Sequence, residues 1–177
     1  VSCQLDVYNR TSDRFSIKPR RSIVIMLMES LNSNAISYMP TLDSLRQLNT
    51  SLYCHNVAKL SQGGISIGGQ LTVMTGLNGL RQSIYCADYP NNIYPSIVSL
   101  LKNRCNTFSS FAVISTARHF YRQDKVNKAF SIDFLYDKND CILKHNRNRW
   151  ADDNAVFECA IRHLPTDNSP FGTLIVP

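Results

Sequence analysis

Two side chains in this sequence have the types and settings needed for transfer of a phosphoryl or sulfuryl group. Ser66 stands between two glycine pairs, Gly63-Gly64 and Gly68-Gly69, and the apolar stretch Leu71 to Leu77 follows it. Glycines at such a junction let the backbone approach an anion closely, and a helix start offers unpaired N–H groups and a positive dipole end. A serine placed there attacks a phosphorus or sulfur centre once its hydroxyl pKa is lowered, usually by a metal ion. The second side chain is Glu29, directly after the apolar run Ser22 to Met28. In open α/β sheets ligands bind at the carboxyl ends of strands, and a carboxylate there suits hard cations such as Mg²⁺, Mn²⁺ or Ca²⁺. Taken singly, each residue has a plain structural reading: Ser66 as a helix cap in a glycine-rich turn, Glu29 as a cap or loop salt-bridge partner. Together they make a metal-assisted nucleophile a competing explanation.

The elements that would hold these groups can be read from periodicity. Ser22 to Met28 is a short continuous apolar run, the pattern of a strand covered on both faces of a parallel sheet. Pro40 to Leu52 puts Leu42, Leu45, Leu48 and Leu52 on one helical face, with Pro40 suited to the first turn. Leu52 to Val57 alternates weakly as a second strand. Ser66 to Thr75 reads as a helix stopped by Gly76. Tyr94-Pro95 opens a further helix, and Phe108 to Ser115 is another buried strand. Asp152 or Asp153 caps a helix bearing Val156, Phe157, Ala160, Ile161 and Leu164. Phe171 to Val176 is strand-like, and so apolar that it would make a sticky edge. Strands alternating with helices predict an α/β fold with a mainly parallel sheet. Residues 1–21 read as a polar lead-in to a domain over 22–177.

Composition narrows the possibilities. With 177 residues, 44% hydrophobic and only 18% charged, the chain can build one domain with a core and does not read as disordered. The net charge of +6 comes from scattered residues, with small clusters at Lys18 to Arg21 and Lys144 to Arg149. Without a denser basic stripe, interleaved aromatics or a known motif, no nucleic-acid partner is expected, and an anionic substrate or membrane surface fits the charge. The six cysteines (Cys3, Cys54, Cys86, Cys105, Cys141, Cys159) contain no C-x-x-C pair, which gives no support to a zinc knuckle or a thioredoxin-type site. Cys54 and Cys159 sit in apolar patterns and read as core thiols. His55, His145 and His163 belong to no motif.

Several segments in order carry a resemblance: Ile23 to Ser30, then Met39-Pro40-Thr41-Leu42-Asp43-Ser44-Leu45, then Gly63 to Gly76, then Tyr94-Pro95-Ser96. They resemble the sulfatase-like branch of the alkaline phosphatase superfamily, and most closely the lipoteichoic acid synthase and phosphoglycerol transferase group, from about Arg21 to Pro177. Phe120 to Asp137 is similar to that group's aromatic-rich substrate segment, and Trp150 to Leu164 to its next helix. The resemblance implies an alkaline-phosphatase-like, mostly parallel sheet flanked by helices, with the C-terminal part of the fold beyond this chain. It implies Ser66 as the nucleophile and, with Glu29, as a ligand of one divalent ion (Mn, Mg, Ca or Zn). That group completes its metal site with an Asp-His pair in a segment absent here. Its substrate-binding His aligns with Ile114, and its Trp and Arg with Tyr121 and Gln123. Arg118, His119 and Arg122 lie close by and are the candidate anion contacts, since Arg binds phosphate bidentately and His can protonate a leaving group.

The formylglycine signature of true sulfatases is absent, because Ile67-Gly68-Gly69-Gln70 follows Ser66, and Ser30 stands where a paired acid would be. Both departures favour phosphoryl-type transfer or hydrolysis, on phosphate esters of envelope lipids or glycans, through an unmodified serine. The alternatives are a sulfuric ester hydrolase and a catalytically silent member that binds anionic ligands. The resemblance also implies an extracytoplasmic location and a membrane anchor outside this chain. Oligomeric state is not legible.

Overall fold

The computed structural model of the chain describes residues 22–54, 66–78, 85–141, 151–167 and 169–177. Its centre is a four-stranded sheet, β1 (Ile23–Met26), β2 (Ser109–Ile114), β3 (Phe134–Tyr136) and β4 (Phe171–Val176), in the order β1-β4-β2-β3. Every pairing is parallel, with Ile23 opposite Gly172, Ser109 opposite Phe171 and Phe111 opposite Phe134. This is the mostly parallel α/β architecture expected from the sequence. The last strand differs from expectation: β4 is no edge, since it lies between β1 and β2. Its unbroken apolar run needs no exposed face, because neighbours cover it on both sides.

Seven α-helices are described: α1 (Pro40–Arg46), α2 (Ser66–Thr75), α3 (Tyr85–Asp88), α4 (Ile97–Arg104), α5 (Gln123–Ala129), α6 (Lys138–Cys141) and α7 (Asp153–Arg162). Alternation along the strands sorts side chains into two cores. Ala112 and Leu174 pack with Ile67, Leu71 and Met74 of α2, Val98 and Leu101 of α4, and Val126 and Phe130 at α5. Phe111, Val113 and Ile175 pack on the other face with Cys141, Val156, Cys159 and Ala160. The sheet is thus covered on both faces at β2 and β4, whereas β1, expected to be covered on both faces, is an edge strand with Val24 and Met26 exposed.

Local chemistry sets the ends of these elements. Gly76, at φ +71°, is the left-handed residue that stops α2, and its N–H donates to Thr72 O at 2.8 Å. Asp152 caps α7 by accepting from the Ala155 N–H at 2.8 Å. At α4, Ser96 and Ser99 form a reciprocal capping box. The long helix expected over 40–52 is shorter. It stops at Arg46 and buries no residue, leaving Leu45, Leu48 and Leu52 exposed. An apolar stripe with nothing packed on it gains little from continuing as helix. No strand forms over Ser51 to Cys54, and the rest of the expected 52–57 strand, like the lead-in 1–21, lies outside the described residues. Cys159 is fully buried, but Cys54 is exposed, so only the former is a core thiol.

One glycine is demanded by packing. A Cβ on Gly172, in the middle of the sheet, would meet Phe108 Cζ at 2.7 Å, and Phe108 is itself 5% exposed in the core. Gly172→Ala should therefore cost about 1–3 kcal/mol through overpacking. The expected result is a lower urea midpoint at unchanged m-value; an unaltered midpoint would mean that the Phe108 ring swings aside freely.

Candidate active site

The site grows out of the strand ends. After β1 the chain turns at Glu29 and Ser30, the latter at φ +56°. Some 37 residues later α2 opens with Ser66, whose hydroxyl donates to Glu29 Oε1 at 2.5 Å. Both residues are solvent-exposed, so this charge-assisted bond sits at a mouth and not in the core. The first turn of α2 contributes backbone N–H groups without helical partners, next to the serine oxygen. A Cβ built on Gly69 in that turn would meet nothing within 4 Å, so the space beside it is open.

Glu29 and Ser66 lie on a cleft of about 360 Å³. It is walled by Ile67 and Gln70 of α2, by Ile114, Ser115 and Thr116 at the end of β2, by Val176 at the end of β4, and by Phe120, Tyr121 and Gln123. The carboxyl ends of three adjacent strands therefore meet there, the usual ligand position in an open parallel sheet. Gln70, one helical turn beyond Ser66, is 2% exposed, and its Oε1 has no hydrogen-bond partner among the described residues. Such an orphaned acceptor is costly in a folded protein and common at binding sites.

Arg118, His119 and Arg122 flank this wall in sequence but are not among its lining residues. Arg118 is spent elsewhere: its Nε and Nη2 donate to Asp137 Oδ2 and Asp140 Oδ2, each at 2.9 Å. Arg122 Nε faces Asp124 at 3.6 Å, and His119 accepts from the Arg122 N–H in a tight turn. The three positions aligned with the resembling group's His, Trp and Arg, namely Ile114, Tyr121 and Gln123, all line the cleft. Ser115 and Thr116 went unmarked in the sequence. The rule that singled out Glu29, a polar residue just past a buried strand, applies equally to them. His163 stacks on Tyr136 with ring centroids 3.5 Å apart, while His55 and His145 lie outside the described residues.

The donors suit a divalent cation in kind, since a carboxylate oxygen and a hydroxyl oxygen are hard ligands that meet at one point. In number they are few. Among the described residues no group of three or more His, Cys, Asp or Glu side chains is arranged to hold a metal, and sites of this type ordinarily use at least three protein ligands or retain several waters.

The wall is pinned from behind by Asp137, a carboxylate 1% exposed at the end of β3. It accepts from the Arg118 N–H at 3.0 Å, from Arg118 Nε at 2.9 Å and from the Asn139 N–H at 2.9 Å. Burial pushes its pKa up, but the Arg118 side chain and the two backbone donors outweigh burial and hold it below the usual carboxylate value.

Fold and site together define a parallel α/β domain carrying a serine–carboxylate pair at its strand ends. That is the fold of the alkaline phosphatase superfamily. The chain superposes on the lipoteichoic acid synthase LtaP of Listeria monocytogenes with a TM-score of 0.73 at 18% identity, over 89% of this chain and 40% of that one. It superposes on the phosphoglycerol transferase GacH of Streptococcus pyogenes, solved in complex with sn-glycerol-1-phosphate, with a TM-score of 0.64 at 13% identity, over 99% and 49% of the two chains. A Vibrio parahaemolyticus protein in the alkaline phosphatase superfamily gives 0.67 at 18% identity, over 98% and 48%. The chain thus spans less than half the length of these solved chains. No protein-family model and no curated protein matches the sequence. No described helix is long and apolar enough to cross a membrane.

Asp137 makes stability depend on pH with a definite sign. A carboxylate whose folded pKa is depressed contributes stability above the unfolded value, about 3.9, and loses it as pH falls through the folded one. Asp137→Asn should lower stability by about 2 kcal/mol at pH 7 and flatten its acid dependence below about pH 4. Denaturant melts from pH 2 to 7 would read this out, and an unchanged pH profile would remove Asp137 from that role.

Proposed function

We propose that the domain is the Ser66-bearing part of a metal-dependent phosphoryl-type transferase or hydrolase acting on phosphate esters of envelope lipids or glycans. The observation that carries this reading is the 2.5 Å hydrogen bond from Ser66 Oγ to Glu29 Oε1 at the mouth of a strand-end cleft. Likeness in fold to a lipoteichoic acid synthase and a phosphoglycerol transferase supports it.

In this mechanism Glu29 fixes the Ser66 hydroxyl so that an oxygen lone pair faces the cleft. Glu29 and Ser66 are the residues that would hold a divalent ion, which would supply Lewis acidity that lowers the hydroxyl pKa. The proton leaves to solvent, which reaches both side chains. Ser66 Oγ then forms the bond to phosphorus while the ester oxygen opposite departs with its electron pair. The N–H groups of the first turn of α2 face the charge on the transferring group. Phe120 and Tyr121, whose ring centroids are 4.4 Å apart, offer a surface to the apolar or C–H face of the alcohol portion, and Gln70 and Gln123 offer amides to its hydroxyls. Water, or a glycerol or sugar hydroxyl, finally takes the phosphoryl group from Ser66. Arg118, His119 and Arg122 enter as second-rank anion contacts, reached only if Arg118 leaves its two carboxylates. We also propose an extracytoplasmic, membrane-anchored setting for the full protein.

The test is turnover of aryl phosphodiester, aryl phosphate and aryl sulfate by the full-length protein with Mn²⁺, Mg²⁺, Ca²⁺ or Zn²⁺. Ser66→Ala should lower kcat by at least about 10³-fold and Glu29→Gln by a similar factor. Wild-type rates in Ser66→Ala would remove the serine from the chemistry. Preference for the sulfate ester would instead make the protein a sulfuric ester hydrolase.

A further inference from the structure

The wall of the cleft opposite Ser66 is built on unfavourable backbone. Tyr121 (φ 46°, ψ 28°) and Arg122 (φ 56°, ψ 42°) are two consecutive left-handed residues, and neither is glycine. L-residues visit that region singly and at a cost, and such outliers persist only where their surroundings hold them. Upstream the turn is tied by Arg118 to Asp137 and by the Phe120 N–H to Ala117 O at 2.8 Å. Downstream, the Asp124 N–H donates to Arg118 O at 3.1 Å. These bonds fasten the ends of the turn. The peptide joining the two strained residues is held at both of its polar groups: its N–H, that of Arg122, donates to His119 O at 3.1 Å within the turn, and its carbonyl, Tyr121 O, accepts from the Cys86 thiol at 3.0 Å from outside it.

We propose that Cys86 is a positioning residue of the cleft, its thiol holding the Tyr121–Arg122 peptide so that Tyr121 and Gln123 face the space beside Ser66. Cys86 suits the task because it is buried. It is 2% exposed on the short helix α3, next to Tyr85, whose ring packs against Tyr94 and Phe130 at centroid distances of 5.8 and 6.0 Å. Rotating Tyr121 or Arg122 out of the left-handed region would swing the carbonyl off the thiol. The bond is therefore available only to the left-handed conformation and favours it over the alternatives. Burial also pushes the thiol pKa up, to about 11, so the donor proton stays in place across the neutral range. The inference rests on the phosphoester reading for its kinetic consequence, though not for its structural one.

Two variants separate a hydrogen bond from mere packing. Cys86→Ser keeps a donor, whereas Cys86→Val fills the space without one. In the full-length protein, Cys86→Val should raise KM for an aryl phosphodiester about fivefold, the worth of one hydrogen bond, with kcat within about twofold. Cys86→Ser should stay close to wild type in both. Amide hydrogen exchange over residues 118–124 should quicken in Cys86→Val and not in Cys86→Ser. Equal KM and equal exchange in the two variants would overturn the proposal, as would a loss in Cys86→Ser matching that in Cys86→Val. If the wild type turns over no phosphoester, the functional reading fails by itself, and the exchange comparison alone decides the role of the thiol. Should Cys86→Val not fold, Cys86→Ala takes its place against Cys86→Ser with the same outcomes.

Discussion

The insertion of β4 between β1 and β2 is the constraint on which the remaining structure depends. It closes a span of 149 residues, with the Phe171 N–H donating to Ser22 Oγ. Without β4, the strand that delivers Glu29 and the strand that delivers Ser115 and Thr116 have no shared neighbour. With it, Leu27 N–H and Ser115 N–H both donate to the end of β4, to Ile175 O at 2.9 Å and Val176 O at 3.0 Å. One strand thus sets the relative height of two loops that wall the same cleft. Gly172 marks the tightness of that insertion, because the Phe108 ring occupies the place where any larger residue would put its first carbon.

A second layer of constraint acts behind the cleft. Asp137 and Asp140 draw Arg118 away from the opening and anchor the start of the 118–123 turn, while Asp133 ties Lys102 and Ser110 across α4 and β2. For Asp133 too, burial raises the carboxyl pKa, and its bonds to Lys102 and Ser110 outweigh that and leave it low. Carboxylates, the buried Asp137 and the more exposed Asp133 and Asp140, therefore engage Arg118 and Lys102 in holding the framework. That division explains why the basic residues nearest the cleft in sequence do not line it.

Much of the fold was legible because its signals are local and strong. Ile23 to Met26, Ser109 to Ile114 and Phe171 to Val176 are largely apolar runs of strand length, though β1 is covered on one face only, and Gly76 and Asp152 mark helix ends by their own chemistry. The place of β4 was not legible, since an apolar strand at the end of a chain carries no mark of which neighbours it joins. The stripe over 40–52 misled because helical periodicity says which residues could be buried, not whether anything arrives to cover them. At the site, glycines and a strand end pointed to Ser66 and Glu29. The nearby cations pointed to Arg118, whose charge is engaged by carboxylates from nineteen and twenty-two residues away. No local pattern records such a partner. The short strand β3 and the left-handed pair at Tyr121 and Arg122 likewise arise from tertiary bonds.

The Ser66–Glu29 contact is hard to explain by folding alone. Hydrogen bonds between exposed groups add little to stability, because each partner gives up water to form them and long side chains lose freedom. Here both partners are exposed, they come from segments 37 residues apart, and the glutamate is followed by a turn residue with positive φ. A stabilising role would be served better by pulling the pair inward, as the fold does with Asp137. Leaving a carboxylate and a hydroxyl converged at an open cleft, beside a helix start and a Gln70 amide oxygen with no partner among the described residues, makes sense for groups that meet a ligand. What distinguishes this cleft from an ordinary surface groove is that its polar groups are held in place by the sheet but completed by nothing in it.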